Sequence, residues 1–332
     1  MKKILILSVV LFLISIFAAN CFILELFIFA HSSNEDNNRL KFIIENGASF
    51  NGVCNELKES DLITNNFMFR LIAVLYGYDS KIKAGEYYIS KSMSPLTMLE
   101  IFVKGKSILY KITIPEGFST EQIGQLLELN GLTSKEDFVN TANNINFAKK
   151  LGLNCSSFEG YLFPDTYYFP KGISCEKIIT IMYKSFQNKI KPEWIKKASE
   201  MNFSLHKIIT LASIIEKETG TPEERPIIAS IFHNRLKNNM RLESDPTVIY
   251  GIKNFNGNIT KKDLQTQTPY NTYKIKGLPP GPIANPGARS IHAAIFPDQT
   301  KYLYFVSKKD GTHFFSTNLK DHSKAVQKYQ KN

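Results

Sequence analysis

The chain has 332 residues, of which 43% are apolar and 21% charged, so it holds enough apolar material for a core and is not disordered throughout. Its 41 basic and 30 acidic residues give a net charge of +11, but the excess is spread along the chain, and we therefore expect no nucleic-acid partner. Four cysteines are too few for a disulfide scaffold, and none forms the C-x-x-C pair of a zinc ribbon.

The beginning of the chain predicts a membrane anchor. Residues 1–3 carry two lysines, and residues 4–24 carry no charge. About 20 helical residues cover the roughly 30 Å of a bilayer core. A cleavable signal peptide is the alternative, with residues 18–20 (AAN) as its cleavage site, but apolar residues continue to Phe29. By the positive-inside rule we expect a cytoplasmic segment 1–3, a single transmembrane anchor 4–28 and the rest of the chain outside the cytoplasmic membrane.

A short stalk and a small module follow the anchor. The polar segment that ends at residue 40 predicts a stalk over 29–40. Short strands and helices then alternate: a strand over 83–89, a helix over 94–105 between a serine N-cap and a glycine stop, and an alternating strand over 108–114. These patterns predict a small α+β module over 41–113.

The next stretch is mainly helical, but it contains an aromatic segment. Ser119 and Gln122 predict a capping box at the start of a helix. Residues 158–170 contain six aromatic residues and two prolines, a composition that suits stacking on sugar rings. The structural alternative is a loop that its aromatic side chains pin to the core, and residue type alone favours that alternative.

The last third of the chain has the densest signals. Ser204 predicts the N-cap of an apolar helix that ends at Gly220, and residues 221–224 (TPEE) predict a second helix with a capping box. Residues 268–286 contain five prolines, which predicts ordered backbone without regular structure, and such loops are usually functional. Two further elements are predicted near the end of the chain: a buried strand over 302–306 and a helix from Asp321.

Glu216 is the candidate catalytic residue. The histidines show no metal-ligand spacing, and the chain has neither a phosphate-binding loop nor a serine nucleophile elbow. Glu216 shares the apolar face of its predicted helix, whereas Glu218 is rotated from it by about 200°. Apolar surroundings favour the protonated carboxyl that a general acid needs. The structural alternative is a helix-end glutamate paired with Arg225, Lys217 or Arg235.

The segment that contains Glu216 also carries a family resemblance. Residues 211–219 (LASIIEKET) resemble the A-S-I-[IV]-E-K-E-T signature of the endolytic murein transglycosylases, the YceG-like or MltG family. Further similar segments cover most of the chain after residue 80: 114–117 (IPEG), 159–167 (EGYLFPDTY), 232–236 (FHNRL), 240–242 (MRL), 244–251 (SDPTVIYG), 270–273 (YNTY), 277–283 (GLPPGPI), 285–287 (NPG) and 302–306 (YLYFV).

The resemblance implies a domain organisation and a reaction. The fold class expected is α+β, membrane-anchored, with a LysM-like module over 41–113 and a mixed α/β catalytic region with long ordered loops over 114–332 (core 200–332). Glu216 matches the family's catalytic glutamate. The implied reaction is non-hydrolytic cleavage of the β-1,4 bond between N-acetylmuramic acid and N-acetylglucosamine, leaving a 1,6-anhydromuramoyl end. Because the C6 hydroxyl of the substrate is the nucleophile, a second carboxylate is unnecessary.

The resemblance also implies partners. The enzyme is expected to act on nascent peptidoglycan strands as a terminase of wall assembly, with peptidoglycan synthases (penicillin-binding proteins) as partners and with no cofactor or metal. The polar side chains of the similar segments are candidates for holding the glycan, and for each a structural role is equally open: Tyr161, Tyr167, Asp245, Thr247, Asn271, Tyr273 and Asn285.

Two other functions remain open on the sequence. One is a muramidase-type hydrolase that uses Glu216 with Asp245 as its second carboxylate. The other is a non-catalytic scaffold that binds the wall through the LysM-like module. The end that cleavage leaves on the glycan separates the first from a transglycosylase, and binding without cleavage would support the second.

Overall fold

The computed structural model describes residues 8, 10–17, 19, 39–252 and 255–330. The chain divides into two compact units. One comprises residues up to Tyr110 together with Tyr168–Gly172, and the other comprises Lys111–Tyr167 and the residues from Ile173 onward. Both units combine helices with two-stranded antiparallel sheets, in agreement with the predicted α+β class.

The first unit is a small module with its own core. Its elements are β1 (Leu40–Ile44), α1 (Phe50–Glu59), α2 (Asn66–Leu75), β2 (Gly85–Ile89) and α3 (Pro95–Lys104). Strands β1 and β2 pair antiparallel, and Phe69, Tyr87 and Phe102 are among the large side chains buried beside them. The predicted caps of α3 are confirmed: the Ser94 hydroxyl accepts from a backbone N–H of the first turn, and Gly105 ends the helix at φ 69°.

The second unit is larger and mostly helical. Strands β3 (Leu109–Thr113) and β4 (Thr166–Pro170) pair with each other. The remaining elements are α4 (Thr120–Leu129), α5 (Lys135–Ala142), α6 (Ile145–Lys150), α7 (Cys175–Lys189), α8 (Pro192–Glu200), α9 (Leu205–Glu218), α10 (Arg225–Lys237), α11 (Asp245–Tyr250), α12 (Lys261–Gln265), α13 (Ala288–Ile295), β5 (Tyr304–Ser307), β6 (His313–Ser316) and α14 (Leu319–Gln330).

Helix α9 lies in the core of the second unit and carries Glu216. Ser204 caps its first turn, as predicted. The sequence predicted one apolar face, but every residue from Ile208 to Ile215 is buried. The reason is that α8, α10, α11 and α13 all pack against this helix, so it is enclosed on several sides. Glu216 follows this buried stretch directly, so it lies where the helix leaves the core.

The start of α10 differs from the prediction. Pro222–Glu224 form a short 3-10 turn rather than the first turn of a capped α-helix, and α10 begins at the next residue. The Thr221 hydroxyl donates instead to the Gly311 carbonyl at 2.8 Å, and Glu224 accepts from the N–H of His313 at 2.8 Å. The Thr221 hydroxyl and the Glu224 carboxylate, which a capping box would need, are therefore hydrogen-bonded to residues distant in the chain.

Other predicted segments have mixed outcomes. The capping box of Ser119 and Gln122 is present at α4, and 268–286 form neither helix nor strand, as predicted. The aromatic segment 158–170 is pinned to the core, as the structural alternative expected, because most of its aromatic side chains are buried. The strand predicted over 302–306 runs one or two residues later as β5, and the expectation that it is buried was wrong, because only Val306 is buried there.

Most of the predicted anchor (4–28) and stalk (29–40) lies outside the described residues. Residues 8, 10–17 and 19 are helical. Within the described part of the chain, no helix combines the length and the apolar character needed to cross a bilayer.

Candidate active site

Glu216 is held through both of its carboxylate oxygens. It lies in the last turn of α9, and its side chain is only 4% exposed. Its Oε1 accepts from the Arg225 guanidinium at 3.0 Å, and its Oε2 accepts from the backbone N–H of Gly287 at 2.8 Å. Two segments outside α9 therefore fix the orientation of this carboxylate.

Arg225 is the first residue of α10, and its side chain is 7% exposed. Its pairing with Glu216 is the contact that the structural alternative expected. The other two proposed cations are engaged elsewhere: Lys217 donates to the Gly117 carbonyl, and Arg235 pairs with Glu243. Arg225 Nε is buried and has no hydrogen-bond partner among the described residues, so the guanidinium retains an unused donor.

A second carboxylate, that of Glu116, lies beside this ion pair. Its Oε2 is 3.9 Å from the same terminal nitrogen of Arg225 that contacts Glu216, and its side chain is 46% exposed. Partial burial raises the pKa of Glu116, and the negative charge of Glu216 raises it further, whereas Arg225 and Arg289 lower it. Arg225 thus lies between two carboxylates that interact with each other.

Two loops meet at this site and bring Glu116 and Gly287 to Glu216. The N–H of Gly117 donates to the Asn285 carbonyl at 2.9 Å, and the N–H of Asn285 donates to the Phe118 carbonyl at 2.9 Å. A Cβ at position 287 would lie 1.9 Å from Glu116 Oε1, so only glycine leaves room for that carboxyl. The close approach of the two loops therefore depends on residue 287 having no side chain.

Glu159 ties the same loops together from inside the core. Its carboxylate accepts from the N–H of Thr120, from Asn285 Nδ2 at 3.1 Å and from the Tyr250 hydroxyl at 3.2 Å. Burial raises the pKa of Glu159 from its ordinary 4.5 to about 7, although these hydrogen bonds act in the opposite direction. It is a buried carboxylate that links the start of α4 to the loop before α13.

Three of the predicted glycan-binding residues are completely enclosed. Thr247, Asn271 and Asn285 are each 0% exposed, and protein groups occupy their side chains. Asn271 donates to three backbone carbonyls between residues 263 and 266, and Asn285 Oδ1 accepts from the N–H of Leu162. In this conformation all three shape the backbone around the site and have no free polar atom to offer a ligand.

The two predicted stacking tyrosines are also buried. Tyr161 is 2% exposed and Tyr167 is 7% exposed. The Tyr161 hydroxyl lies 2.8 Å from His206 Nδ1, and the Tyr167 hydroxyl donates to the Phe163 carbonyl at 2.6 Å. Their ring faces are packed in the core, which leaves no surface for a sugar.

Asp245 and Tyr273 are the predicted binding residues that remain accessible. Asp245 is exposed at the start of α11 and accepts from the Tyr273 hydroxyl at 2.7 Å. Asp245 interacts with Glu218, which accepts from the Ser244 hydroxyl. The pKa of Glu218 is raised to about 7, mainly by burial and also by the charge of Asp245. The carboxylate that interacts with Glu216 is therefore Glu116, whereas Asp245 belongs to the group around Glu218.

Comparison with known proteins assigns the chain to a family. Residues 42–328 match the model of the YceG-like family. The chain belongs to the YceG-like family. It is 36% identical over 308 residues to the endolytic murein transglycosylase of Bacillus subtilis, covering 86% of this chain and 83% of that protein. The endolytic murein transglycosylase of Streptococcus pneumoniae is 29% identical over 326 residues, covering 88% of this chain and 59% of that protein.

A solved structure of a YceG-like protein is also similar. The crystal structure of a yceG-like protein from Listeria monocytogenes superposes with a TM-score of 0.61 at 34% identity, covering 87% of this chain and all of that one. The identity and coverage of these YceG-like relatives agree with the resemblance that the sequence motifs carry.

Sequence reasoning did not assign Glu116, Arg225 or Gly287 to the site. Glu116 and Gly287 lie inside the segments 114–117 and 285–287, which resemble the family. That resemblance marked the segments but gave neither residue a role in the site. Arg225 lies outside those segments and was considered only as a structural partner. Among the described residues, no group of three histidine, cysteine, aspartate or glutamate side chains is arranged to hold a metal ion.

Proposed function

We propose that this YceG-like protein is an endolytic lytic transglycosylase that cuts the β-1,4 bond between N-acetylmuramic acid and N-acetylglucosamine in peptidoglycan. The observation that carries the proposal is the enclosed carboxylate of Glu216, oriented through both oxygens at the end of a buried helix. Relatives that carry the name endolytic murein transglycosylase support the substrate class.

Glu216 carries the proton in both halves of this reaction. It first protonates the leaving glycosidic oxygen, and it then accepts the proton of the C6 hydroxyl as that oxygen bonds to C1 and closes the 1,6-anhydro ring. The nucleophile belongs to the substrate, so it is already held at high effective concentration and no activated water is required. The backbone N–H of Gly287 orients the Glu216 carboxyl, and Arg225 pairs with it in its ionised form.

Substrate contacts divide by accessibility. Asp245 is exposed and Tyr273 is half-buried, and together they form a linked acceptor and hydroxyl that suit the hydroxyl and amide groups of an amino sugar. The buried residues predicted from the sequence do not contact the glycan but hold the loops that form the site. This second group comprises Tyr161, Tyr167, Thr247, Asn271 and Asn285.

The test is product analysis on uncrosslinked glycan strands in water enriched in heavy oxygen. A transglycosylase yields anhydro ends that contain no solvent oxygen, whereas a muramidase-type hydrolase yields reducing ends that contain it. Purified full-length chain should give anhydro ends, and Glu216→Gln should give none. Reducing ends would overturn the proposal in favour of hydrolysis, and glycan binding without any cleavage would favour a wall-binding scaffold.

The wider setting of the enzyme is part of the same proposal. Residues 4–28 anchor the chain in the cytoplasmic membrane, residues 41–113 form a LysM-like glycan-binding module, and the catalytic region 114–332 faces the wall and acts as a terminase beside peptidoglycan synthases. The uncharged run 4–24 supports the anchor. Sequencing the N-terminus of the mature protein tests it, because a start near residue 21 or later would show cleavage instead.

A further inference from the structure

The hydrogen bonds of Glu216 conflict with one of its two roles. Both of its oxygens accept from N–H donors, which is the arrangement of an ionised carboxylate. A general acid must begin the reaction protonated, and a protonated carboxyl has lost the negative charge that strengthens both hydrogen bonds. Its hold on the two donors is therefore weaker once the proton arrives. The Gly287 N–H belongs to the backbone, so the Arg225 side chain is the partner that can move.

Arg225 has a second anion within reach. Glu116 Oε2 lies 3.9 Å from the terminal nitrogen that now donates to Glu216 at 3.0 Å. A shift of about an ångström would complete a charge-assisted hydrogen bond of ordinary length. Arg225 Nε also lacks a hydrogen-bond partner among the described residues, so a shift of the guanidinium breaks no hydrogen bond at that atom.

We propose that Glu116 is a positioning residue that takes Arg225 from Glu216 when Glu216 is protonated and gives it back when Glu216 is ionised. This inference rests on the proposed function. The proton of Glu216 passes to the glycosidic oxygen as the C1–O bond breaks, and Arg225 then stabilises the carboxylate. The C6 hydroxyl proton returns to Glu216 as the C6 oxygen bonds to C1, and Arg225 swings back to Glu116. No proton or charge is gained over the cycle.

Three charged groups lie near Glu216, and a fourth acts on Glu116. Arg225 faces Glu216 from α10, Glu116 comes from the loop after β3, and Lys217 is the neighbour of Glu216 on α9, with Nζ donating to the Gly117 carbonyl at 3.3 Å. Arg289 of α13 interacts with Glu116. Glu116 is the anion in this group, so removing its charge should make Glu216 give up its proton at lower pH.

Glu116→Gln tests the proposal. Activity that needs protonated Glu216 falls on the alkaline side of the pH profile, and we expect this limb of kcat/KM to move to lower pH in Glu116→Gln. A displacement of one pH unit corresponds to about a tenfold loss on that limb, with little loss on the acid side. Glu116→Asp keeps the charge and should restore the position of the limb at least in part.

A second measurement separates this inference from the function on which it rests. The carboxyl of Glu216 can be titrated by NMR in protein labelled at glutamate, without substrate, with Glu216→Gln used to assign its signal. Glu116→Gln should lower the titration midpoint of Glu216 whether or not the glycan is cleaved. A uniform loss of activity at every pH with an unchanged midpoint would overturn the positioning role. Absence of cleavage by the unaltered chain would overturn the proposed function instead.

Discussion

Arg225 donates to Oε1 of Glu216 over 3.0 Å, and the two side chains are 7% and 4% exposed. The contact is therefore a buried ion pair at the end of α9. Removing one partner of such a pair is costly because the other charge stays buried, whereas replacing both partners often costs little. The contribution of the pair to stability can therefore be measured separately from the proposed catalytic role of Glu216.

We expect Arg225→Met to lower the free energy of unfolding by about 3–5 kcal/mol, the range typical of breaking a buried pair. The double variant Arg225→Met with Glu216→Gln should be more stable than Arg225→Met alone, because its remaining side chain is uncharged. Urea unfolding of the three variants and the unaltered chain completes the cycle. Strict additivity of the two single effects would show that the pair is not coupled.

Glu216→Gln should abolish formation of anhydro ends while the fold persists. Glutamine keeps the volume of the side chain but cannot transfer the proton, and general acid–base catalysis is typically worth about 10²–10⁴-fold. Glu218→Gln is the matched control, because Glu218 lies two residues away on the same helix and binds Ser244 instead of Arg225. The assignment is wrong if Glu218→Gln, correctly folded, is the variant that loses cleavage.

Gly287→Ala should disturb the site without changing any charge. Position 287 has φ −74°, which alanine adopts freely, so the steric conflict is with the Glu116 carboxyl. Displacing that carboxyl should move the alkaline limb of the pH profile in the same direction as Glu116→Gln. Gly220→Ala is the control, because no atom lies within 4 Å of its new Cβ. Equal effects of the two glycine variants would contradict this interpretation.

Glu159→Gln should reduce the pH dependence of stability. Burial raises the pKa of Glu159 from 4.5 to about 7, so between these values the folded state binds more protons than the unfolded state. The contribution of Glu159 to the free energy of unfolding therefore falls as the pH rises from about 4.5 to 7, and it levels off above that. Chemical denaturation at pH 5 and pH 8 should show a smaller difference in Glu159→Gln than in the unaltered chain. If the difference in unfolding free energy between pH 5 and pH 8 is the same in both proteins, groups other than Glu159 cause the pH dependence.

Replacing Pro279 and Pro280 by alanine should weaken cleavage more than stability. These prolines pre-order the loop before α13, which lessens the entropy lost when a glycan binds. The Pro280 carbonyl lies 2.8 Å from His206 Nε2, a contact that alanine can keep. Cleavage assays and thermal unfolding of the same double variant separate the two effects. A melting temperature that falls in step with activity would make the loop merely structural.

The sequence predicted correctly those helix ends that depend on contacts between residues close together in the chain. The caps at Ser94, Ser119 and Ser204 could be predicted because a serine hydroxyl meets an N–H of the same helical turn. The predicted cap at 221–224 was wrong because its two polar groups are taken by Gly311 and His313, about ninety residues later in the chain. Local pattern and tertiary contact therefore competed, and the tertiary contact prevailed.

The sequence by itself indicated Glu216 as the acid, because a carboxylate in register with an apolar helix face and within a family-like segment is unusual. Only the tertiary structure decided its surroundings: Arg225 and Gly287 on its two oxygens, and Glu116 beside them. It also decided that Tyr161, Asn271 and Asn285 are enclosed, while Asp245 remains open. The physical reason is that burial and pairing depend on which distant segments meet, and neither residue type nor helical spacing contains that information.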